Sequence, residues 1–386
     1  MDNLGNGDYI VRCDFCGEII KDHRLAMAGN GSFICRACAQ LVVDDTAAME
    51  KAAQSQSPDV FLKVPTQIRK QLDRLAIGQE EAKRKLSVAI YHHQLRVKCW
   101  LPVAGRNNLL LIGPTGSGKT FLIQCIAKIC DLPLAICDAT TLTEAGYVGQ
   151  DVDSVLTALL SAAGNDIERA RHGIIFIDEI DKIAERGTTS GRDVSGGGVQ
   201  DGLLKILEGK ISTFKNVKGE SVKMDTSEIL FILGGAFSSL AKYIAREKKN
   251  FIGLGNKADH IVEDTYDDLC ADVDQKALVK FGLKPEFIGR VPIIVHLKAL
   301  TEEELRQILT DVDNNIVEMV KDIFEADDIK CVIPSDTLTK VAQIAIENGT
   351  GARGLRTIIE RSLFDSFYEL PGSDKTHLVF TPEMVK

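Results

Sequence analysis

Gly113, Pro114, Thr115, Gly116, Ser117, Gly118, Lys119 and Thr120 spell G-x-x-x-x-G-K-T, directly after the apolar run NLLLI and directly before FLIQCIAKI. The first run has strand character and the second has helical spacing, so the motif sits on a strand–loop–helix turn, the only context in which its residues make joint sense. Glycines let backbone N–H groups curl around phosphate oxygens. Lys119 adds a positive charge at the β/γ phosphates, and the Thr120 hydroxyl is placed to ligate Mg²⁺. The alternative is a merely tight Gly-rich turn; motif and context together favour a nucleoside triphosphate site.

A second apolar run, GIIFI, ends in Asp178 and Glu179. Two carboxylates at the C-terminal end of a buried strand stand where open α/β sheets bind ligands. Asp178 is expected in the Mg²⁺ shell, and Glu179 is expected to polarise the attacking water, a division that hydrolysis needs and bare binding does not. The alternative use of the pair is to cap the helix that follows.

Counting these two, short apolar runs at Asn108–Ile112, Leu134–Asp138, Gly173–Asp178, Ile229–Leu233 and Pro292–Leu297 make a set of five, bounded by Gly, Pro or Asp and separated by helical stretches. This pattern predicts a buried parallel α/β sheet. After Leu300 the strands largely stop. Thr301 and Glu304 make a capping-box signal that opens a helix through EELRQILTDVDNNIVEMVKDIF, and helical patterning continues to a closing strand at THLVFT.

At the other end of the chain stand Cys13-x2-Cys16 and Cys35-x2-Cys38. Paired C-x2-C knuckles at this separation match a tetrathiolate zinc site, and four thiolates leave no open position, so the metal is expected to be structural. A disulfide pairing is the alternative, weakened by the reducing compartment in which an ATPase of this kind works. The residues between the pairs carry mixed charge and several apolar side chains, which favours contact with protein over contact with DNA. The expected organisation is a zinc-binding domain over residues 1–45, a linker over 46–63, a large α/β domain over 64–300 and a small, mainly helical domain over 301–386.

Composition enters as an exclusion. With 46 basic against 55 acidic side chains, a formal charge of −9 speaks against a broadly basic nucleic-acid surface. No apolar run reaches the length of a membrane span, and the start MDNLGNGDYI lacks the basic and apolar regions of a signal peptide. The expectation is a soluble, cytoplasmic protein with reduced thiols and no membrane partner.

GPTGSGKT, IIFIDEIDKI, GYVGQDV, RDVSGGGVQ, KFGLKPEFIGRVP and GTGARGLR, behind a four-cysteine finger, together resemble the ClpX family of AAA+ unfoldases from Cys13 to about Leu370. The resemblance implies an AAA+ fold and a homo-hexameric ring with ATP, Mg²⁺ and Zn²⁺. It also implies unfolded or tagged protein substrates, adaptors at the zinc domain and the ClpP peptidase as partner, with no peptidase activity in this chain. It implies that Arg290 is an arginine finger acting on the neighbouring subunit, that Arg353 senses nucleotide for the small domain, and that Ile77, Gly78 and Gln79 lie on the adenine side. Tyr147 and Val148 resemble the first pore loop and Arg192–Val199 the second. Ile252, Gly253 and Leu254 are similar to the tripeptide that docks the peptidase. From residues alone, Arg290 and Arg353 are equally well surface charges, Tyr147 a loop aromatic and Ile252–Leu254 a short buried strand.

The pattern departs from the family in places. GKISTFKNVKGESVKMDT is shorter than the family's loop and lacks its Arg-Lys-His triplet, Gln150 and Gly197 stand where an acidic residue is common, and the strand ILFIL runs into Gly234 and Gly235 with no polar sensor residue. Two alternatives to peptidase-coupled unfolding remain open: a remodelling ATPase that works without a peptidase, and a nucleic-acid-associated ATPase that reads through its zinc finger.

Overall fold

The computed structural model describes residues 3–4, 8–9, 11–20, 26–29, 32–44, 62–99, 107–143, 150–184, 196–240, 244 and 273–386. The chain divides into two compact units, Met1–Val60 and Phe61–Lys386.

In the second unit the apolar runs form a five-stranded, all-parallel sheet: β1 (Leu109–Ile112), β2 (Leu134–Asp138), β3 (Ile174–Asp178), β4 (Leu230–Gly235) and β5 (Ile293–His296), in the order β5-β1-β4-β3-β2. Side chains alternate across a strand, and here the alternation divides two cores. Leu109, Leu111, Ile174, Phe176, Leu230 and Ile232 face helices α1 (Pro65–Leu75), α2 (Glu80–Cys99) and α3 (Lys119–Cys130). Leu110, Ile112, Ile175, Ile177, Phe231 and Leu233 face α4 (Ser154–Ala162) and α5 (Gly196–Leu207). Burial on both faces is why these strands read as continuous apolar runs rather than as alternating ones.

A third core belongs to α6 (Glu302–Thr310), α7 (Ile316–Glu325), α8 (Ser335–Glu347) and α9 (Ala352–Glu369). The capping box at Thr301 and Glu304 is present. The helix expected to run on through residue 324 is instead two: Asn314 adopts a left-handed φ of 57°, and the Asn315 side chain caps α7 by accepting from Glu318 N. Asn tolerates that conformation and caps well, so Asn-Asn closes the turn that follows α6 and starts α7. Lys330–Val332 and His377–Val379 close this region as a parallel pair.

GKISTFKNVKGESVKMDT forms a tight hairpin, Ile211–Lys215 against Ser221–Asp225, with Val217 76% exposed at its tip. Among the described residues, no helix is long and apolar enough to cross a membrane.

Among its described residues the first unit holds three small antiparallel pairs, Asn3–Leu4 with Asp8–Tyr9, Val11–Arg12 with Ile19–Ile20 and Ala26–Gly29 with Ser32–Cys35, followed by helix over residues 36–44.

Candidate functional site: a P-loop cavity and a four-cysteine cluster

β1 leaves the sheet at Ile112 and the loop re-enters as α3 at Lys119, with Gly116 at φ 78° and the N-cap Gly118 at φ 94°. Both values are left-handed, which glycine adopts without strain, and they turn the loop so that the first N–H groups of α3 point outward at a helix N-terminus suited to anions. Lys119 lies largely buried beneath the loop, its ammonium donating to the carbonyls of Gly113 at 2.7 Å and Pro114 at 3.1 Å. Burial pushes the Lys119 pKa down; Asp178, then Asp181, oppose that shift and favour the charged form. The Ser117 hydroxyl is buried without a protein partner, a polar atom left for a ligand in a loop of this kind.

The order of strands sets the next contact. β4 lies between β1 and β3, and all three end at the same edge, so residues from two separate motifs converge there. The Thr120 hydroxyl donates to Asp178 Oδ2 at 3.0 Å, and Glu179 N donates to Asp178 Oδ1 at 2.9 Å. Glu179 itself takes a left-handed φ of 57° and is exposed. A hydroxyl and a carboxylate at this spacing are the oxygen donors that suit Mg²⁺.

These groups border a cavity of about 460 Å³. One end is apolar, with Leu75, Ala76 and Ile77 on one side and Ile308 and Val312 of the small helical region on the other; Asp178, Glu179, Asp181 and Arg353 lie at the polar end. A slot with an apolar end and a P-loop end fits a nucleoside triphosphate in size and polarity.

Not every expected residue reaches this cavity. Gln79 does, but its side chain is a tie: the amide donates to Ser117 O at 3.2 Å and Lys298 O at 2.8 Å and accepts from Lys298 N at 3.0 Å. Gly78 packs on Glu304 rather than lining the cavity, and Gly113 and Pro114 sit below the loop as acceptors for Lys119. Arg290 is half-exposed, 3.6 Å from Glu208, and is not among the cavity-lining residues. Tyr147 and Val148, Arg192 to Ser195 of the second glycine-rich stretch, and Ile252, Gly253 and Leu254 lie outside the described residues.

Sequence reasoning missed Ile308, Val312 and Asp181. The first two read as ordinary core positions of an amphipathic helix and its end. Also missed was the seam at Gly116, whose carbonyl accepts from Ala352 N at 3.3 Å.

In the first unit the Sγ atoms of Cys13, Cys16, Cys35 and Cys38 all lie within 4.8 Å of one another, with Cys16 and Cys35 3.9 Å apart. Zinc–sulfur bonds of about 2.3 Å set tetrahedral S–S separations of about 3.8 Å, so the cluster has the right size. Cys35 N donates to Cys13 Sγ at 3.3 Å and Cys38 N to Cys35 Sγ at 3.4 Å. The N–H of Cys35, then that of Cys16, pulls the Cys13 pKa down to about 6, while the neighbouring thiols of Cys16 and Cys35 push Cys38 up to about 12. Four crowded sulfurs that cannot all ionise alone are the donor set that a divalent soft cation resolves.

Residues 106–294 match the family model described as AAA domain (Cdc48 subfamily), and residues 300–377 match that of the C-terminal, D2-small domain of ClpB protein. With the parallel sheet and the P-loop, these matches show an AAA+ ATPase domain joined to a small domain of the ClpB kind, a pairing that supports the Clp/Hsp100 family.

Proposed function

We infer that the chain is a ring-forming, ATP-driven protein unfoldase of the ClpX kind that passes polypeptides to a ClpP peptidase. The observation that carries this reading is the meeting of Thr120 and Asp178 at 3.0 Å beside Lys119, with Glu179 next in the chain. The loop amides and Lys119 hold the phosphates. Thr120 and Asp178 would hold Mg²⁺, which when bound neutralises charge on the β/γ oxygens. Glu179 accepts the proton of the attacking water. Arg290 does not line the cavity of its own chain, which supports its action on a neighbour's nucleotide and hence a closed ring, typically a hexamer in AAA+ proteins. Arg353, at the start of α9 and in the cavity, carries the nucleotide's state to the small helical region.

Tyr147 and Val148 would grip substrate in the pore, and Ile252, Gly253 and Leu254 would dock the peptidase. The N-terminal unit exposes Phe15 (73%) and Leu41 (67%), which supports a protein partner there, substrate or adaptor, once zinc is held by the four cysteines. The compact hairpin in place of an Arg-Lys-His loop favours a tag preference different from the family's.

The test is ATP-dependent loss of fluorescence from a tagged, stable reporter, with and without ClpP and with Ile252–Leu254 replaced by glycine and serine. Loss of fluorescence that becomes degradation only with ClpP and the intact tripeptide is expected. Unfolding with no effect of ClpP would replace this reading with that of a peptidase-independent remodeller. Glu179→Gln should keep nucleotide binding and assembly while hydrolysis falls by at least about 10²-fold, and turnover near the wild-type rate would remove Glu179 from its role.

A further inference from the structure

β4 ends in two glycines, so it brings no side chain to the cavity at the point where it runs between the P-loop strand and β3. The space is taken by carboxylates. On one face, a Cβ at Gly234 would stand 2.7 Å from Phe176 Cζ and 3.0 Å from Asp178 Oδ1. On the other, a Cβ at Gly235 would stand 2.6 Å from Phe237 Cε2 and 2.8 Å from Asp181 Oδ1. The bare strand end is therefore clasped between Asp178 and Asp181. It is also tied into the loop: Gly235 O accepts from Gly113 N at 3.2 Å, and Ala236 N donates to Asp181 Oδ1 at 3.3 Å.

Asp181 is unusual for an aspartate three residues beyond a strand. Its side chain is 7% exposed, its nearest cation is the half-exposed Lys182 ammonium at 3.9 Å, and it lines the same cavity as Lys119 and Asp178. A carboxylate held this far from water needs cationic company. Lys119 supplies part of it, and among the carboxylates Asp181 acts on Lys119 more strongly than Glu179 does. Mg²⁺ retains several waters when it binds protein through one or two oxygens, and each of those waters needs an acceptor.

The geometry points to Asp181 as a further positioning residue of the nucleotide site, supplying from beneath Gly235 the acceptor for metal-bound water that the end of β4 cannot. This assignment rests on the ATP reading above and deepens it. Asp181 and Glu179 act differently, since Glu179 is exposed and free to take a proton, whereas Asp181 is fixed in place by Ala236 N. The glycines then have a reason, because a side chain at 234 or 235 would press on an aromatic ring, Phe176 or Phe237, and on the carboxylate beside it.

The experiment measures the affinity of a fluorescent ATP analogue in Mg²⁺ and in excess EDTA for the full chain and three variants. Asp181→Asn keeps an oxygen for Ala236 N and removes the charge. Asp181→Ala removes both. Asp138→Asn is the control, a carboxylate paired in register with Asp178, bonded to Thr140 and outside the cavity. In the wild type Mg²⁺ should tighten binding. For Asp181→Asn the ratio of the two affinities should fall by about tenfold, with affinity in EDTA unchanged or higher, because metal and nucleotide binding are linked through that charge. The Mg²⁺ concentration for half-maximal ATPase should rise in parallel. Asp138→Asn should keep the wild-type ratio. A wild-type ratio in Asp181→Asn with loss only in Asp181→Ala would make the residue a structural tie and overturn the assignment. Absence of nucleotide binding by the wild type in either buffer would instead bring down the ATP reading, and the assignment with it.

Discussion

His93, on α2, is enclosed at 1% exposure, and its surroundings fix its proton. Nε2 meets His172 O at 2.9 Å and must donate, because a carbonyl only accepts; Nδ1 faces the Arg96 guanidinium at 3.4 Å and must accept. Burial, reinforced by Arg96 against the His172 carbonyl, pushes the His93 pKa down to about 4. The folded protein therefore keeps His93 neutral while the unfolded chain takes up a proton near pH 6.5. Its contribution to stability is complete above that pH and is lost as pH falls from about 6.5 to about 4, up to roughly 3 kcal/mol in all. Glu228, held below the ordinary carboxylate range by His172, gives up its stabilisation only at lower pH. His296, also lowered by burial, adds in the same direction as His93. Thermal unfolding followed between pH 7.5 and 5 should thus show a falling midpoint, and His93→Gln should flatten that slope; an unchanged slope would mean that His93 is protonated in the fold. Residues differ in how openly the sequence displays them. Lys119, Thr120 and Asp178 stand in motifs whose spacing announces the chemistry. Asp181 and His93 do not, because a charge after a strand and a histidine on a helix read as surface until the turn Ile180–Ile183 and the packing of α2 bury them.

Elements meet at Gly116. A Cβ there would collide with the Thr350 carbonyl and stand 3.0 Å from Gly351 Cα, all of it backbone that cannot rotate away. Gly118 has an equally left-handed φ, yet a Cβ there would meet nothing within 4 Å. The pair separates strain from clash. Gly118→Ala should cost about 1 kcal/mol of stability without nucleotide, from backbone conformation alone. Gly116→Ala should cost more, about 2–4 kcal/mol, because it also breaks the Ala352 N to Gly116 O bond and lifts the start of α9 off the loop. Denaturant titration of the two variants measures the difference, and equal losses would mean that the seam between loop and α9 is not maintained in solution. The sheet was legible in sequence because strands buried on both faces leave continuous apolar runs. The seam was not, since Gly116 lies in the loop before α3 and Gly351 in the turn between α8 and α9, and their meeting depends on how those helices pack. Nor was the break between α6 and α7, where periodicity continues across Asn314 while the backbone does not.

At the scale of the whole chain, the two units depend on different sources of stability. Phe61–Lys386 holds three apolar cores. In Met1–Val60, the described core consists of Cys13 and Ile20, with Phe33, Ile34, Cys35 and Cys38 packed against it. Half of those six residues are themselves the sulfur donors of the cluster, so removing a metal would remove the centre of the core along with its ligand bonds. So small a described core offsets little of the entropy of its chain, and metal binding then becomes folding free energy. A strong chelator should therefore abolish the ordered signals of residues 10–45, as followed by proton exchange or proteolysis, and excess Zn²⁺ should restore them. Basal ATPase of the chelated protein should remain within about twofold of the untreated rate, because Lys119, Thr120, Asp178 and Glu179 all stand on elements of the other unit. Substrate-stimulated turnover should fall if the exposed Phe15 and Leu41 are where protein partners dock. A loss of basal ATPase that Zn²⁺ reverses would show that the motor itself leans on the N-terminal unit, and the division of labour between a metal-held recognition unit and a self-supporting ATPase would have to be given up.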